Sequence, residues 1–474
     1  MSNIIGRKKE IDQLERILDS NNPEMVAVYG RRRVGKSFLI SEFFKGNSDF
    51  IEIIGTKNTL KKIQIQRFLH SYGDLLSCDK QEKKISDWDQ IFLLLKKYID
   101  QNKYKKKIVI FFDEVPWLDT KNSHFLSALE YAWNKFFSKQ NVKIIVCGSS
   151  ASWMIKKIIN NKAGLHNRLT AKIKLLPFNL QETKDYFNHR NITLEEKQIA
   201  DLYMAIGGIP KYLSYVTPGH SVPQIIEQLF FDKEGPLHNE FEELYSSLFD
   251  NYKTHLKIVK TLSASATGLA QNDLIRKSKL SAGGSTVNTL RELEESGFLL
   301  SVPFYGQKKK DKRYRLVDEF THFYIKWIGQ KRLSPQKNSW VHQMNSMRYR
   351  IWAGYQFENI CLKHTLQIKQ KLGISGIYTE EFCWYNDKTQ IDLLIDRADK
   401  TINLCEIKFH DSQIEKITEL DSDLKNKLNE FKTSTKTKKL IIKTLISVYG
   451  TKTRQSFINH QVLLTDLFQP SGPR

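Results

Sequence analysis

Residues 25–38 read MVAVYGRRRVGKSF. The apolar run Met25–Tyr29 predicts a buried strand, and the apolar residues from Phe38 to Phe44 predict the start of a helix. Between them, Gly30–Ser37 has the spacing G-x-x-x-x-G-K-S. Glycines let backbone N–H groups wrap around phosphate oxygens, and the amino end of the following helix adds positive potential. This stretch therefore predicts a phosphate-binding loop at the end of a strand.

The loop predicts a site for ATP and Mg²⁺. Lys36 would reach the β- and γ-phosphates, and Ser37 would bind the metal ion. The three arginines occupy variable positions of the motif and are expected at the solvated surface of the loop, with contact to phosphate or to a neighbouring element as the alternative. The predicted nucleotide-binding residues are Gly30, Arg31, Arg32, Arg33, Val34, Gly35, Lys36, Ser37 and Phe38.

A second apolar run supplies the catalytic partner of the loop. The run Ile108–Phe112 predicts a buried strand and is followed directly by Asp113 and Glu114. Two acids after one strand are common, but their place about 75 residues after a phosphate loop favours catalysis. We expect Asp113 to hold Mg²⁺ through water and Glu114 to polarise the attacking water.

The surrounding sequence predicts an α/β domain around a parallel sheet. Further strands are predicted at 50–54 (FIEII) and 143–150 (KIIVCGSS), and helical patterns lie between the strands. From about residue 153 the strand patterns fade and helical ones take over. We predict a P-loop NTPase core over residues 1–160 and a helical lid over 161–250.

These motifs together resemble the archaeal ATPase family, a branch of the AAA/STAND P-loop NTPases. The pieces are IGRKKE (5–10), the loop, FDEVPW (112–117), CGSS (147–150) and GGIP (207–210). The resemblance implies that the Gly6-Arg7 pair lies near the adenine, and that GGIP shapes the lid over the nucleotide. A plain helix break is the alternative for GGIP.

Two single residues also receive roles from this resemblance. Ser149 would be a polar sensor beside the γ-phosphate, or would only cap the following helix. Arg168 resembles the arginine that such ATPases offer to a phosphate from a neighbouring subunit or domain, or it forms a surface ion pair. If Arg168 acts on a neighbouring subunit, hydrolysis would depend on a homo-oligomer.

Residues 251–330 predict a winged helix-turn-helix with a basic hairpin. Residues 251–350 carry 19 basic and 7 acidic residues, a net charge of +12 out of +22 for the whole chain. Concentrated positive charge favours a DNA partner, although such modules also bind proteins. The predicted nucleic-acid-binding residues are Arg291, Lys308, Lys309, Lys310, Lys312 and Arg313.

Residues 345–474 predict an α/β domain with a metal site. Asp392 lies on one strand of a predicted hairpin, and Glu406 and Lys408 lie on one face of the next. Two carboxylates can hold Mg²⁺, and a lysine can activate water beside a phosphodiester. This pattern resembles the PD-(D/E)XK nuclease superfamily, whose restriction-endonuclease-like fold often adds a glutamate from the first helix, here Glu358. An inactive fold of that ancestry is the alternative.

Composition sets the limits of these predictions. The 474 residues are 40% hydrophobic and 11% aromatic, which is enough for packed cores. No apolar run approaches a membrane span, and we expect a cytoplasmic protein. The combined prediction is an ATPase that couples nucleotide state to a DNA-binding winged helix and a nuclease-like domain. Two alternatives are an ATP-driven protein-interaction switch with an inactive nuclease fold, and an ATP-gated endonuclease in defence or mobile-element biology.

Overall fold

The computed structural model describes residues 3–77, 85–102, 107–160, 165–249, 251–265, 267–307, 312–329, 339–452 and 457–470. The chain forms two compact units, residues 1–177 and residues 178–474. No helix of the described residues is both long and apolar enough to cross a membrane. The wing-tip lysines Lys308, Lys309 and Lys310 lie outside the described residues.

The first unit alternates helices and strands, as the sequence predicts. Its elements are α1 (Lys8–Asp19), β1 (Glu24–Tyr29), α2 (Lys36–Phe44), β2 (Asp49–Ile54), α3 (Lys61–Tyr72), α4 (Trp88–Asn102), β3 (Ile108–Asp113), α5 (Val115–Leu118), α6 (Phe125–Lys135), β4 (Val142–Gly148), α7 (Ala151–Met154) and β5 (Ala171–Lys174). A π-helical turn, Ile155–Ile159, extends α7, and a 3₁₀ turn spans Leu165–Arg168.

The five strands of this unit form one sheet in the order β2-β3-β4-β1-β5. Every pairing is parallel. Every residue of β3 and β4 is buried, which explains their near-continuous apolar sequence. Because the strands are parallel, the segments that follow β1, β3 and β4 all lie at the same edge of the sheet.

The sheet extends beyond the domain boundary predicted at residue 160. The strand β5 pairs with β1, with Ala171 opposite Val26 and Lys174 opposite Tyr29. It has only four residues, and its sequence AKIK alternates in polarity. An edge strand this short carries little sequence signal. The helical patterns that surround it after residue 153 therefore dominate the prediction, and the strand is missed.

The second unit begins with helices and continues through two separate sheets. Its helices are α8 (Leu180–His189), α9 (Glu196–Ile206), α10 (Pro210–Leu213), α11 (Val222–Ile226), α12 (Glu240–Leu248), α13 (Tyr252–Ser263), α14 (Gln271–Lys277), α15 (Gly284–Glu295), α16 (Glu319–Phe323), α17 (Ser339–Gln343), α18 (Met347–Lys363), α19 (Thr365–Lys371) and α20 (Ile417–Thr435). Its strands are β6 (Leu269–Ala270), β7 (Leu299–Pro303), β8 (Lys312–Leu316), β9 (Thr379–Tyr385), β10 (Gln390–Arg397), β11 (Thr401–Lys408), β12 (Leu440–Ser447) and β13 (His460–Leu463).

We call residues 252–316 the hairpin module. It contains α13, α14 and α15 and a small antiparallel sheet in the order β6-β8-β7. Three helices followed by a two-stranded hairpin is the arrangement that the sequence predicts for these residues.

We call the sheet formed by β9 to β13 the C-terminal sheet. Its order is β13-β12-β11-β10-β9, with antiparallel pairing from β9 to β11 and parallel pairing from β11 to β13. The helix α20 connects β11 to β12, and its buried Leu424 and Phe431 share a core with residues of the sheet. The predicted hairpin of β10 and β11 is therefore at the middle of a larger sheet.

Candidate functional site

The phosphate loop joins β1 to α2, and two glycines allow its path. Gly30 has a φ of +147°, and a Cβ at this position would lie 2.2 Å from the carbonyl oxygen of Leu175. Gly35 has a φ of +89° at the amino end of α2. L-residues rarely adopt these conformations, so the two glycines of the motif are required by the backbone.

Lys36 closes the loop in this structure. Its buried ammonium group donates hydrogen bonds of 3.0 Å to the carbonyl oxygens of Gly30 and Arg31. These two carbonyl oxygens hold the Lys36 ammonium group inside the loop. Of the other loop residues, Ser37 is half-buried and the Phe38 side chain is 52% exposed.

The arginines of the loop do not all lie at the solvated surface. Arg31 is buried, whereas Arg32 and Arg33 are half-buried. The prediction of a solvated position is therefore wrong for Arg31. The motif leaves these positions variable, so the sequence pattern has no means of telling which arginine faces the protein.

Arg7 braces the loop from outside the motif. Its guanidinium group donates 2.6 Å to the carbonyl oxygen of Leu176 and 3.1 Å to that of Val34. The residue is buried and has a φ of +59° immediately before α1. One cation thus ties the phosphate loop to the segment after β5, a role that the sequence reasoning missed.

The acidic pair lies at the same edge of the sheet. Asp113 ends β3, is buried, and accepts a 2.9 Å hydrogen bond from the backbone N–H of Glu114. Glu114 has a left-handed backbone, with a φ of +51°, and this turns the chain sharply out of the strand.

Glu114 and Ser149 form a direct pair. One carboxylate oxygen of Glu114 accepts 3.0 Å from the Ser149 backbone N–H and 2.9 Å from its hydroxyl. Burial raises the pKa of Glu114, and the Ser149 hydrogen bonds and the charge of Lys36 partly oppose that shift. Ser149 is therefore a partner of the predicted water-polarising group, because β4 lies beside β3 in the sheet.

Arg168 is held by α6. Its guanidinium group pairs with Glu130 at 2.9 Å and donates 2.9 Å to the side-chain oxygen of Asn134. Of the two roles that the sequence leaves open for Arg168, the ion pair is the one that this structure contains.

The predicted GGIP break lies in the second unit and separates α9 from α10. Gly208 accepts a 2.7 Å hydrogen bond from the Phe178 N–H, and a Cβ on Gly208 would lie 1.9 Å from the Phe178 carbonyl oxygen. Gly207 has a φ of +63°, and a Cβ there would lie 2.9 Å from a carboxylate oxygen of Glu319. Both glycines thus permit close packing inside the second unit.

Two of the basic residues predicted to bind nucleic acid have partners within the chain. Lys312 pairs with Glu294 at 3.2 Å, and Arg313 lies over the ring of Tyr385 at 4.0 Å. Arg291 is exposed on α15. The structure therefore brings Lys312 and Arg313 against acidic and aromatic groups of the same chain, and Arg291 alone among these three faces solvent.

The C-terminal sheet brings Asp392 and Glu406 together. The register of β10 and β11 pairs Leu393 with Cys405, so Asp392 and Glu406 follow at the next positions. Glu406 is buried and pairs with Lys408 at 2.9 Å. It also pairs at 2.7 Å with Lys427 of α20, which the sequence reasoning missed.

Glu358 lies close to this pair but has another partner. It forms a 2.8 Å ion pair with Arg315 of β8. Burial raises the pKa of Glu358 to about 7, with a further contribution from Asp392 that Arg315 opposes. Among the described residues, no group of three or more His, Cys, Asp or Glu side chains is arranged to hold a metal ion. The carboxylates predicted as a metal site are thus near neighbours without forming a ligand set in this structure.

The first unit has the fold of a P-loop ATPase. The Walker-type ATPase of Pyrococcus abyssi is similar to this chain with a TM-score of 0.52 and 18% identity, over 68% of this chain and 96% of that one. Residues 4–216 match the model of the family described as an ATPase domain predominantly from Archaea. This match covers the first unit and the beginning of the second.

Two proteins of Methanocaldococcus jannaschii are also similar to the chain. An uncharacterized protein is 24% identical over 432 residues, which are 89% of this chain and 91% of that protein. An uncharacterized ATP-binding protein is 44% identical over 41 residues, which are 9% of this chain and 70% of that protein. The first similarity spans both units of the chain.

Proposed function

We propose that the chain is a cytoplasmic, Mg²⁺-dependent ATPase whose turnover uses Lys36, Ser37, Asp113 and Glu114. The observation that carries the proposal is the placement of these residues at one edge of a parallel sheet, after β1 and β3. Support also comes from the match of residues 4–216 to a family of ATPase domains.

The residues at this edge fit a magnesium ion. The Ser37 hydroxyl is half-buried in the first turn of α2, and the buried Asp113 carboxylate is oriented by the Glu114 N–H. Hydroxyl and carboxylate oxygens are the ligands that Mg²⁺ prefers. When bound, the ion would neutralise phosphate charge during the transfer.

Lys36 and Arg168 would change partners when ATP binds, whereas Glu114 would keep its contact with Ser149. Lys36 exchanges the carbonyl oxygens of Gly30 and Arg31 for phosphate oxygens, since an ammonium group has only three donors. Glu114 keeps its two bonds from Ser149 on one oxygen, and the other oxygen orients the attacking water. We propose that Ser149 acts by positioning Glu114. Arg168 would leave Glu130 to act on a neighbouring subunit.

The loop lysine gives the test of this proposal. Lys36→Ala should lower the rate of phosphate release by about 10²-fold or more, because it removes the positive charge that stabilises the negative charge of the transferred phosphate. Lys45→Ala removes an equal charge at the exposed end of the same helix and is the matched control. Equal rates for wild type and Lys36→Ala would refute the assignment.

We further propose that the hairpin module is a winged helix that contacts DNA phosphates. The net charge of +12 over residues 251–350 supports this, as does the arrangement of three helices and a hairpin. The exposed Arg291 and the lysines Lys308, Lys309 and Lys310 would make the contacts, while Lys312 and Arg313 serve packing within the chain. Nucleotide state would change the accessibility of this surface.

Salt dependence separates DNA binding from the protein-interaction alternative. Replacing Lys308, Lys309 and Lys310 by alanine should weaken binding of duplex DNA and reduce the slope of log K against log salt by about 3 × 0.9. Replacing the exposed lysines Lys432, Lys436 and Lys438 of the C-terminal sheet domain removes the same charge elsewhere. An equal loss of DNA binding in both triple variants would mean that only net charge matters.

For the C-terminal sheet we propose a nuclease-like fold whose active residues would be Asp392, Glu406 and Lys408, with Glu358. Support comes from the adjacent positions of Asp392 and Glu406 and from the Glu406–Lys408 contact. Since these carboxylates form no three-ligand set among the described residues, the metal ion does not fit this arrangement of the side chains. The ATP-gated endonuclease requires a rearrangement of the site, and the protein-interaction switch does not.

A further inference from the structure

An arginine of the hairpin module lies against the acidic residues of the C-terminal sheet. The side chains of Arg315 and Glu358 are 7% and 15% exposed, and their 2.8 Å contact joins β8 to α18. A buried ion pair costs the hydration of both charges, and breaking it by removing one partner is strongly destabilising. The position of Arg315 is thus strongly tied to the presence of this carboxylate.

The remaining acidic charge is also compensated by cations. In the part of the chain that the structure describes, Lys408 and Lys427 both contact Glu406. Their positive charges compensate this carboxylate without a metal ion. The cavity beside Asp392 is lined by Arg313, Arg315 and Cys383 and has a volume of about 10 Å³. That is room for about one water molecule beside Asp392.

The hairpin that carries Arg315 is attached to the edge of the C-terminal sheet. The backbone N–H of Tyr305 donates 3.0 Å to the carbonyl oxygen of Cys383, next to a parallel bridge between Phe304 and Cys383. The Tyr305 ring packs edge-on against Phe382. These contacts fix β8 so that the guanidinium group of Arg315 reaches the acidic site.

We propose that Arg315 takes the place of a divalent cation at the acidic site, so that docking of the hairpin and binding of metal exclude each other. The proposal rests on the nuclease-like assignment of the C-terminal sheet. With the hairpin docked, the carboxylates are neutralised and the domain is held without metal. When the hairpin leaves, Glu358, Asp392 and Glu406 lose a positive charge that a divalent cation then replaces. By linkage, metal binding weakens docking by the same factor by which docking weakens metal binding.

Binding of Mn²⁺ tests this exclusion directly. The protein carries Asp113→Ala, which removes the metal site of the ATPase unit, and bound Mn²⁺ is counted by electron paramagnetic resonance. Arg315→Gln keeps most of the side-chain volume and should bind one Mn²⁺ at least about tenfold more tightly than the parent protein. Adding Asp392→Asn should abolish that gain. Arg397→Gln is the matched control, because Arg397 pairs with Asp399 on the same sheet away from the site.

A second measurement needs no change at the acidic site. Cys383 is half-buried beneath the hairpin and is the residue whose thiol undocking would expose. In a Cys78→Ser protein, saturating Mn²⁺ should speed the reaction of Cys383 with a maleimide. Equal Mn²⁺ affinity in the parent and Arg315→Gln proteins, or labelling of Cys383 that ignores Mn²⁺, would overturn the proposal. Phosphate release by wild type and Lys36→Ala is measured separately, so a failure of the ATPase assignment is distinguished from a failure here.

Discussion

The carboxylate of Glu114 accepts two hydrogen bonds from Ser149, one from its backbone N–H and one from its hydroxyl. Both bonds end on the same oxygen, so they fix the direction of the carboxylate and leave its second oxygen for another partner. The two residues are 35 positions apart in sequence, and adjacent parallel strands bring them together. This pair connects the end of β4 to the proposed catalysis.

The Ser149 hydroxyl should tune the pH dependence of turnover. Its hydrogen bond lowers the pKa of Glu114, which burial raises, so Ser149→Ala should raise that pKa further. Because Glu114 acts as the ionised form, the acid limb of the pH–rate profile should move to higher pH. Ser150→Ala, one position along the chain, should leave the limb in place. A profile of Ser149→Ala that superimposes on that of wild type would contradict the positioning role.

Arg7→Ala should loosen the phosphate loop. The substitution removes two charge-assisted hydrogen bonds, to Val34 and to Leu176, each worth about 1.5–3 kcal/mol. We expect a lower melting temperature and weaker ATP binding, measured by calorimetry. Arg16→Ala is the control, because the exposed Arg16 donates a hydrogen bond to the Asp12 carbonyl oxygen of its own helix. Unchanged ATP affinity in Arg7→Ala would show that the two hydrogen bonds of Arg7 do not influence the phosphate loop.

Gly208→Ala should destabilise the second unit. The new Cβ would lie 1.9 Å from the Phe178 carbonyl oxygen, so the backbone has to shift at a cost of about 1–3 kcal/mol or more. Chemical denaturation followed by hydrogen exchange of peptides from residues 178–474 measures this cost. A Cβ on Gly376 meets nothing within 4 Å, and Gly376→Ala should therefore unfold like wild type. Equal stability of both variants would rule out the tight contact at Gly208.

Acid should weaken the second unit through two buried histidines. His322 accepts a hydrogen bond from the Trp352 indole, and His364 accepts one from the Leu180 N–H. Burial lowers the pKa of each to about 4. The unfolded chain binds these protons near pH 6.5, so stability is complete above that pH and falls towards pH 4.

The measurement for this acid effect is the free energy of unfolding between about pH 7.5 and about pH 5. Each histidine should contribute a loss of up to about 3 kcal/mol over the full range of its shift. His364→Gln should flatten the dependence, although it lowers stability at neutral pH. His220→Gln changes a half-buried histidine and should keep the wild-type slope. If His364→Gln left the pH dependence of the free energy of unfolding unchanged, His364 would not be a source of the acid effect.

The sequence predicts the phosphate site well because its signals are local. The loop Gly30–Ser37 needs only its own glycines and the flanking strand and helix, and Asp113 and Glu114 need only the apolar strand before them. The pair of Glu114 and Ser149 depends on which strand lies beside which, and no local pattern contains that order. The bracing role of Arg7 likewise depends on a short edge strand that alternates in polarity.

The acidic site of the C-terminal sheet also contains contacts that local sequence patterns cannot predict. The period of a strand predicts the shared face of Glu406 and Lys408, and the hairpin predicts the position of Asp392. Lys427, which lies 21 residues after Glu406, reaches the site from α20, and Arg315 reaches it from the hairpin module. Composition favours a DNA contact for that hairpin, whereas the fold turns Arg313 and Arg315 towards the same chain because alternate residues of β8 share a face.

Phosphate release by Glu114→Gln under saturating Mg²⁺ and ATP tests the central claim most directly. The amide can still accept from Ser149 but can no longer act on water as a carboxylate. We predict ATP binding close to that of wild type and turnover reduced by about 10²-fold or more. Turnover by Glu114→Gln at the wild-type rate would contradict the claim that this edge of the sheet hydrolyses ATP.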